Sequence, residues 1–148
     1  MNHPKLTASG ERILGTMIEL AQCSKLHRII VAGSTSPHFM FDLNRHGYNR
    51  VATTATCGLP RGQYDVAFVT WRLNSIKALE TTLEWLVHLL APTSVLVIWI
   101  DSSERTDRRK LGSILEKLGF RVEAGTCCVD GFAISARRLD AKQRSFAA

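Results

Sequence analysis

A chain of 148 residues, 45% hydrophobic and 22% charged, is long enough to bury a core and has the makeup of a globular domain. Its net charge of +6 is spread along the chain, with clusters only at "RTDRRK" (105–110) and "ARRLDAKQR" (136–144), neither interleaved with aromatics. That favours a solvated basic surface over a dedicated nucleic-acid surface, and no apolar run approaches the ~20 residues that span a bilayer.

Residues 1–10 read as a flexible leader, 11–140 as a single α/β domain and 141–148 as a basic tail. The opening "MNHPKLTASGER" has no apolar signal core, and the four cysteines show no C-x-x-C spacing. Adjacent Cys127 and Cys128 diverge too much for a mutual disulfide. The expectation is a cytoplasmic protein with reduced thiols and no metal.

In "ERILGTMIELAQCSK", Ile13, Leu14, Met17, Ile18 and Ala21 form one helical stripe. "RIIVAG" is a short buried strand. Ser36 suits an N-cap and Pro37 a first helical residue, so a helix is expected from there towards Gly47. "RVATTAT" reads as a second strand, followed by the turn "CGLPRGQ". "YDVAFVTW" is a third strand, and "SIKALETTLEWLVHLLA" a helix expected to stop at Pro92.

"SVLVIWID" is the most hydrophobic strand and is expected at the centre of the sheet. A helix over Asp107–Leu118 ends at Gly119. "RVEAGTCCV" and "GFAISARRL" then read as an antiparallel pair around Asp130-Gly131. Strands separated by helices imply a mainly parallel sheet with helices on both faces.

From Arg28 to Leu139 this order resembles the class I, S-adenosylmethionine (SAM)-dependent methyltransferases, a Rossmann-like fold closed by an antiparallel hairpin. The resemblance rests on "QYDVAFVTWRLNSI", on "LEWLVHLLAPTSVLVIWID", and on "LEKLGFRVEAG" followed by "GFAISARRL". It implies a SAM site at the first loop, with the cofactor's ribose held by an acidic residue ending the second strand. The chain departs from that pattern where the chemistry lies. "VAGSTSPHF" keeps one glycine, Gly33, and "VATTATCG" has no acid. The short turn "CGLPRGQ" leaves no room for the family's third strand and its helix. The resemblance is therefore to a shortened member with a degenerate cofactor loop.

In an open α/β sheet, ligands bind beyond the carboxyl ends of the strands, where strand order reverses. That rule gathers Gly33, Ser34, Thr35, Ser36, Trp71 and Asp101 as cofactor-binding candidates, with Thr54, Thr56, Thr70, Arg72 and Ser102 beside them. The helix N-terminus after Gly33 favours an anion, although capping alone accounts for the serine and proline here. Trp71 can stack on an adenine or belong to the core. Asp101 can hold a ribose or cap the next turn. His38, Asp42 and His46 share a helical spacing, but ligands along two turns rarely converge on one metal ion. No catalytic residue is assigned.

Three functions follow. One is a methyltransferase-like domain with a degenerate SAM site that binds a nucleotide-like ligand. Another is a non-catalytic interaction module, a homodimer joined through the sheet edge at 50–56; weak nucleic-acid binding through the basic patches is a third.

Overall fold

A computed structural model describes residues 13–33, 36–53, 62–71, 76–100, 105–128 and 131–138. A helix, α1, covers 13–21. It leads to β1 (Ile29–Gly33), α2 (Ser36–Arg45), β2 (Val51–Thr53), β3 (Tyr64–Trp71) and α3 (Ile76–Val87). β4 (Leu90–Ile100), α4 (Arg105–Lys117), β5 (Phe120–Cys128) and β6 (Gly131–Arg138) follow. The strands form one sheet in the order β2-β1-β3-β4-β6-β5. β1 to β4 pair in parallel, whereas β6 runs antiparallel to both β4 and β5. The hairpin expected from Asp130-Gly131 thus closes the sheet, and β2 is its other terminal strand.

Alternation along the strands divides the core in two. Ile30, Ala32, Ala67, Val69, Leu96 and Ile98 face α3 and α4, meeting Leu79, Leu83, Leu86, Leu111 and Leu115. Ile29, Val31, Val66, Phe68, Val97 and Trp99 face α1 and α2, meeting Leu14, Met17, Phe39 and Leu43. β1, β3 and β4 are buried on both faces because helices cover both, which explains their unbroken apolar runs.

At the amino ends of the strands, the Arg28 amide donates to Asp65 Oδ2 at 3.0 Å and the Asp65 amide to the Arg28 carbonyl at 2.8 Å. Asp65 thus ties together the starts of β1 and β3, at the end of the sheet remote from Gly33.

Two boundaries differ from expectation. α2 starts at Ser36, one residue ahead of Pro37. α3 stops at Val87, short of Pro92, because other elements capture the backbone that would continue it. The Gly62 and Tyr64 amides donate to the carbonyls of His88 and Leu89 at 3.1 and 3.0 Å. Arg138 Nη1 donates to the carbonyls of Val87 and Leu90, at 3.2 and 2.6 Å, and so caps the helix from β6. Leu90 is buried as expected, but as the first residue of β4. Pro92 falls where pairing with β3 slips from Tyr64–Leu90 to Val66–Val95, a position that needs no amide proton.

Candidate functional site

The switch point lies between β1 and β3. From β1 the chain moves outward to β2, whereas from β3 it moves the other way to β4. The carboxyl ends of β1 and β3 therefore frame the crevice in which such sheets bind ligands. Gly33 pairs with Thr70 there, and Thr70 with Trp99. These three residues lie side by side across β1, β3 and β4, on the α1/α2 side of the sheet. Thr53 ends β2 on the same side, level with Val31. Thr53 and Thr70 are both buried, and α2 begins three positions after Gly33.

Gly33 has φ +107°, and a Cβ added there would overlap the Thr70 carbonyl oxygen and lie 2.8 Å from its carbon. The residue is glycine because β3 passes so close. That requirement holds with or without a ligand, so this glycine alone is no sign of a cofactor.

Trp71 lies on the other side of the sheet. It pairs with Ile100 and packs against the α3/α4 core, so it does not share a face with Gly33, although sequence placed both around one cleft. Its Nε1 and Ser94 Oγ are the buried side-chain polar atoms with no hydrogen-bond partner among the described residues. The indole N–H at the end of β3 is an uncommitted donor.

Ser36 opens α2, and its side chain is outside the described residues. Ser34, Thr35, Thr54, Thr56, Arg72, Asp101 and Ser102 also lie outside them. Sequence reading missed Thr53 and Trp99. The signal was present, since period-two alternation from Val97 puts Trp99 on the Gly33 side and leaves Trp71 on the other. Among the described residues, no three His, Cys, Asp or Glu side chains group as metal ligands. No helix among them is long and apolar enough to cross a membrane.

Solved structures share this architecture. A SAM-dependent methyltransferase from Archaeoglobus fulgidus superposes with TM-score 0.64 at 12% identity, covering 87% of this chain and 94% of that one. One from Aquifex aeolicus gives 0.56 at 16% identity, over 88% and 89%. The fold is that of the class I methyltransferases. No family model matches the chain, and no curated protein does. The [4+2]-cyclase SpnF superposes with TM-score 0.63 at 11% identity, covering 88% of this chain and 82% of that one. A methyltransferase-like fold thus does not by itself specify methyl transfer.

Gly33 is committed to β3, and the stretch from Val51 to Gly62 contains no carboxylate to accept from a ribose diol. Threonine hydroxyls are neutral acceptors, and hydrogen bonds to them are weaker than those to an ionised acid.

Proposed function

We propose that this is a methyltransferase-fold domain with a reduced cofactor site, which binds SAM or a related nucleotide weakly and does not turn it over. The observation that carries this reading is the row Gly33, Thr70, Trp99 at the switch point. It sets a small residue, a hydroxyl and an aromatic residue level with one another across the strands on either side of the switch point. The N-terminus of α2 adds partial positive charge nearby, which suits a carboxylate or phosphate. The missing carboxylate after β2 removes the group that would hold a ribose firmly.

Calorimetry with SAM, S-adenosylhomocysteine and ATP tests the reading. Weak binding of one or more, without methyl transfer to water or added nucleophiles, supports it. Binding of SAM at micromolar affinity or tighter would restore an active methyltransferase.

A second reading is a protein-interaction module working in the cytoplasm as a homodimer. The observation that favours it is that, among the described residues, β2 and β5 end the sheet with no further strand beside them. Basic residues on α4, among them Arg109 and Lys110, are exposed, and they are the described part of the surface on which weak nucleic-acid binding would rest.

A further inference from the structure

We infer that the turn between α1 and β1 is a pH-sensitive latch, closed while the His27 ring is neutral and opened, with release of the Cys23 thiol to solvent, when His27 takes up a proton.

The latch is built on Ser24, whose polar groups are all engaged within residues 23–27. Its amide donates to His27 Nδ1 at 3.0 Å, and its carbonyl accepts from the His27 amide at 3.0 Å. His27 thus grips Ser24 twice, once with its ring and once with its backbone. Ser24 Oγ accepts from the Leu26 amide at 3.2 Å, so side chains close the turn where no strand or helix ladder does. The Ser24 carbonyl also accepts from Cys23 Sγ at 3.6 Å, which ties the thiol to the gripped residue. Cys23 is half-buried there, beside Asp65 and Tyr48.

A neutral ring that accepts at Nδ1 carries its one proton on Nε2. A second proton can go only to Nδ1, where it meets the Ser24 N–H and sets donor against donor. Acid therefore removes this hydrogen bond outright.

The surrounding charges act in the same direction. Lys25 and Arg28 lie in the turn, Glu19 and Cys23 at the end of α1, His46, Tyr48 and Arg50 between α2 and β2, and Asp65 at the start of β3. Arg50 Nη1 donates to the Leu26 carbonyl at 3.5 Å, and the Arg28 amide donates to Asp65 Oδ2. Lys25, Arg28 and Arg50 outnumber Glu19 and Asp65, so a charge on His27 joins a positive surplus. The repulsion is screened by salt, whereas the donor–donor conflict is not.

Two substitutions in the full chain test the latch. Asparagine can place an amide oxygen where histidine has Nδ1, and it takes up no proton. His27→Asn should therefore keep the turn closed at every pH, and His27→Ala should leave it open. In proton–nitrogen NMR spectra taken from pH 8 to about pH 5, the Ser24 amide should titrate together with the His27 ring protons. In His27→Asn it should stay still. Cys23 is read with dithiodipyridine, a disulfide that still reacts in acid, followed by peptide mass mapping. Its rate in the folded chain is divided by its rate in urea at the same pH. Between pH 8 and about pH 5 this ratio should rise roughly fivefold in the unmodified chain, as loss of one ordinary hydrogen bond allows. The ratio should be low and flat in His27→Asn, and high and flat in His27→Ala. A Ser24 amide that does not follow His27, a ratio independent of pH, or the same rise in His27→Asn would overturn the inference.

Discussion

Gly33 and Thr70 lie opposite each other where β1 and β3 end, and the Thr70 carbonyl oxygen occupies the volume that a side chain at 33 would need. The contact is backbone against absent side chain, so no rotamer change relieves it. A φ of +107° adds strain for any residue with a Cβ.

Gly33→Ala should therefore destabilise the free protein by about 2–4 kcal/mol, the range of substitutions that force a backbone clash or an unfavourable φ. Urea denaturation without ligand measures it. A change below 0.5 kcal/mol, the scatter of ordinary surface substitutions, would mean that β3 yields and that the glycine serves a ligand instead. The same clash makes substitutions at 33 unsuitable as a probe of binding, since loss of fold and loss of site would look alike.

The fold was legible because its signals are local and repeated. The unbroken apolar runs in "RIIVAG", "YDVAFVTW" and "SVLVIWID" and the leucine spacing of α3 and α4 each specify an element, and the alternation of strands with helices specifies parallel pairing. The end of α3 was not legible. It depends on Arg138 and on the amides of Gly62 and Tyr64, which lie far from Val87 in sequence and meet it only once the sheet exists. The site was half legible. Its position follows from strand order, but the separation of Gly33 from Trp71 depends on which way each strand end faces, and the reason for Gly33 depends on the approach of β3.

Arg138 ties the end of α3 and the start of β4 to β6 through two charge-assisted hydrogen bonds, to the carbonyls of Val87 and Leu90. The side chain is part-buried, so screening reduces their worth. Arg138→Met, which keeps most of the stem, should cost roughly 1–3 kcal/mol in urea denaturation. Arg138→Lys should recover part of this, since one ammonium can reach a carbonyl but lacks the guanidinium fork. Equal losses in both variants would assign the effect to packing.

Cys23 sits beside the tie between β1 and β3. Its thiol pKa is pushed up from 9.0 to about 11, first by burial and then by the negative charge of Asp65. Tyr48 is raised as well, by burial and then by Cys23. The folded state then keeps the Cys23 proton at pH values where the unfolded chain has lost it. Stability should fall as pH rises from 9 towards 11, and Cys23→Ser should flatten that slope. At pH 8 the thiolate fraction is lower than that of an ordinary cysteine by roughly a hundredfold, two pKa units. Alkylation by iodoacetamide at pH 8, followed by peptide mass mapping, should modify Cys23 far more slowly in the folded chain than in the unfolded one. Rapid modification in the folded chain would show the thiol to be more open than its burial implies.

The proposed cofactor site offers a gain-of-function test, which is more decisive than a loss. β2 ends at Thr53, and the next residues, Thr54 to Cys57, offer hydroxyls and a thiol but no carboxylate. A ribose diol donating to an ionised acid makes a pair of charge-assisted hydrogen bonds, each worth ~1.5–3 kcal/mol. Their lack should weaken SAM binding by roughly a hundredfold or more. Thr54→Asp places an acid directly after the strand and should tighten binding at least ~10-fold, or ~1.4 kcal/mol. A carboxylate also attracts the sulfonium charge of SAM, so the decisive comparison is with S-adenosylhomocysteine, which has the same ribose and no sulfonium. Parallel gains for both ligands assign the effect to the ribose. A gain for SAM alone assigns it to charge, and no gain for either shows that the missing acid is not what limits this site.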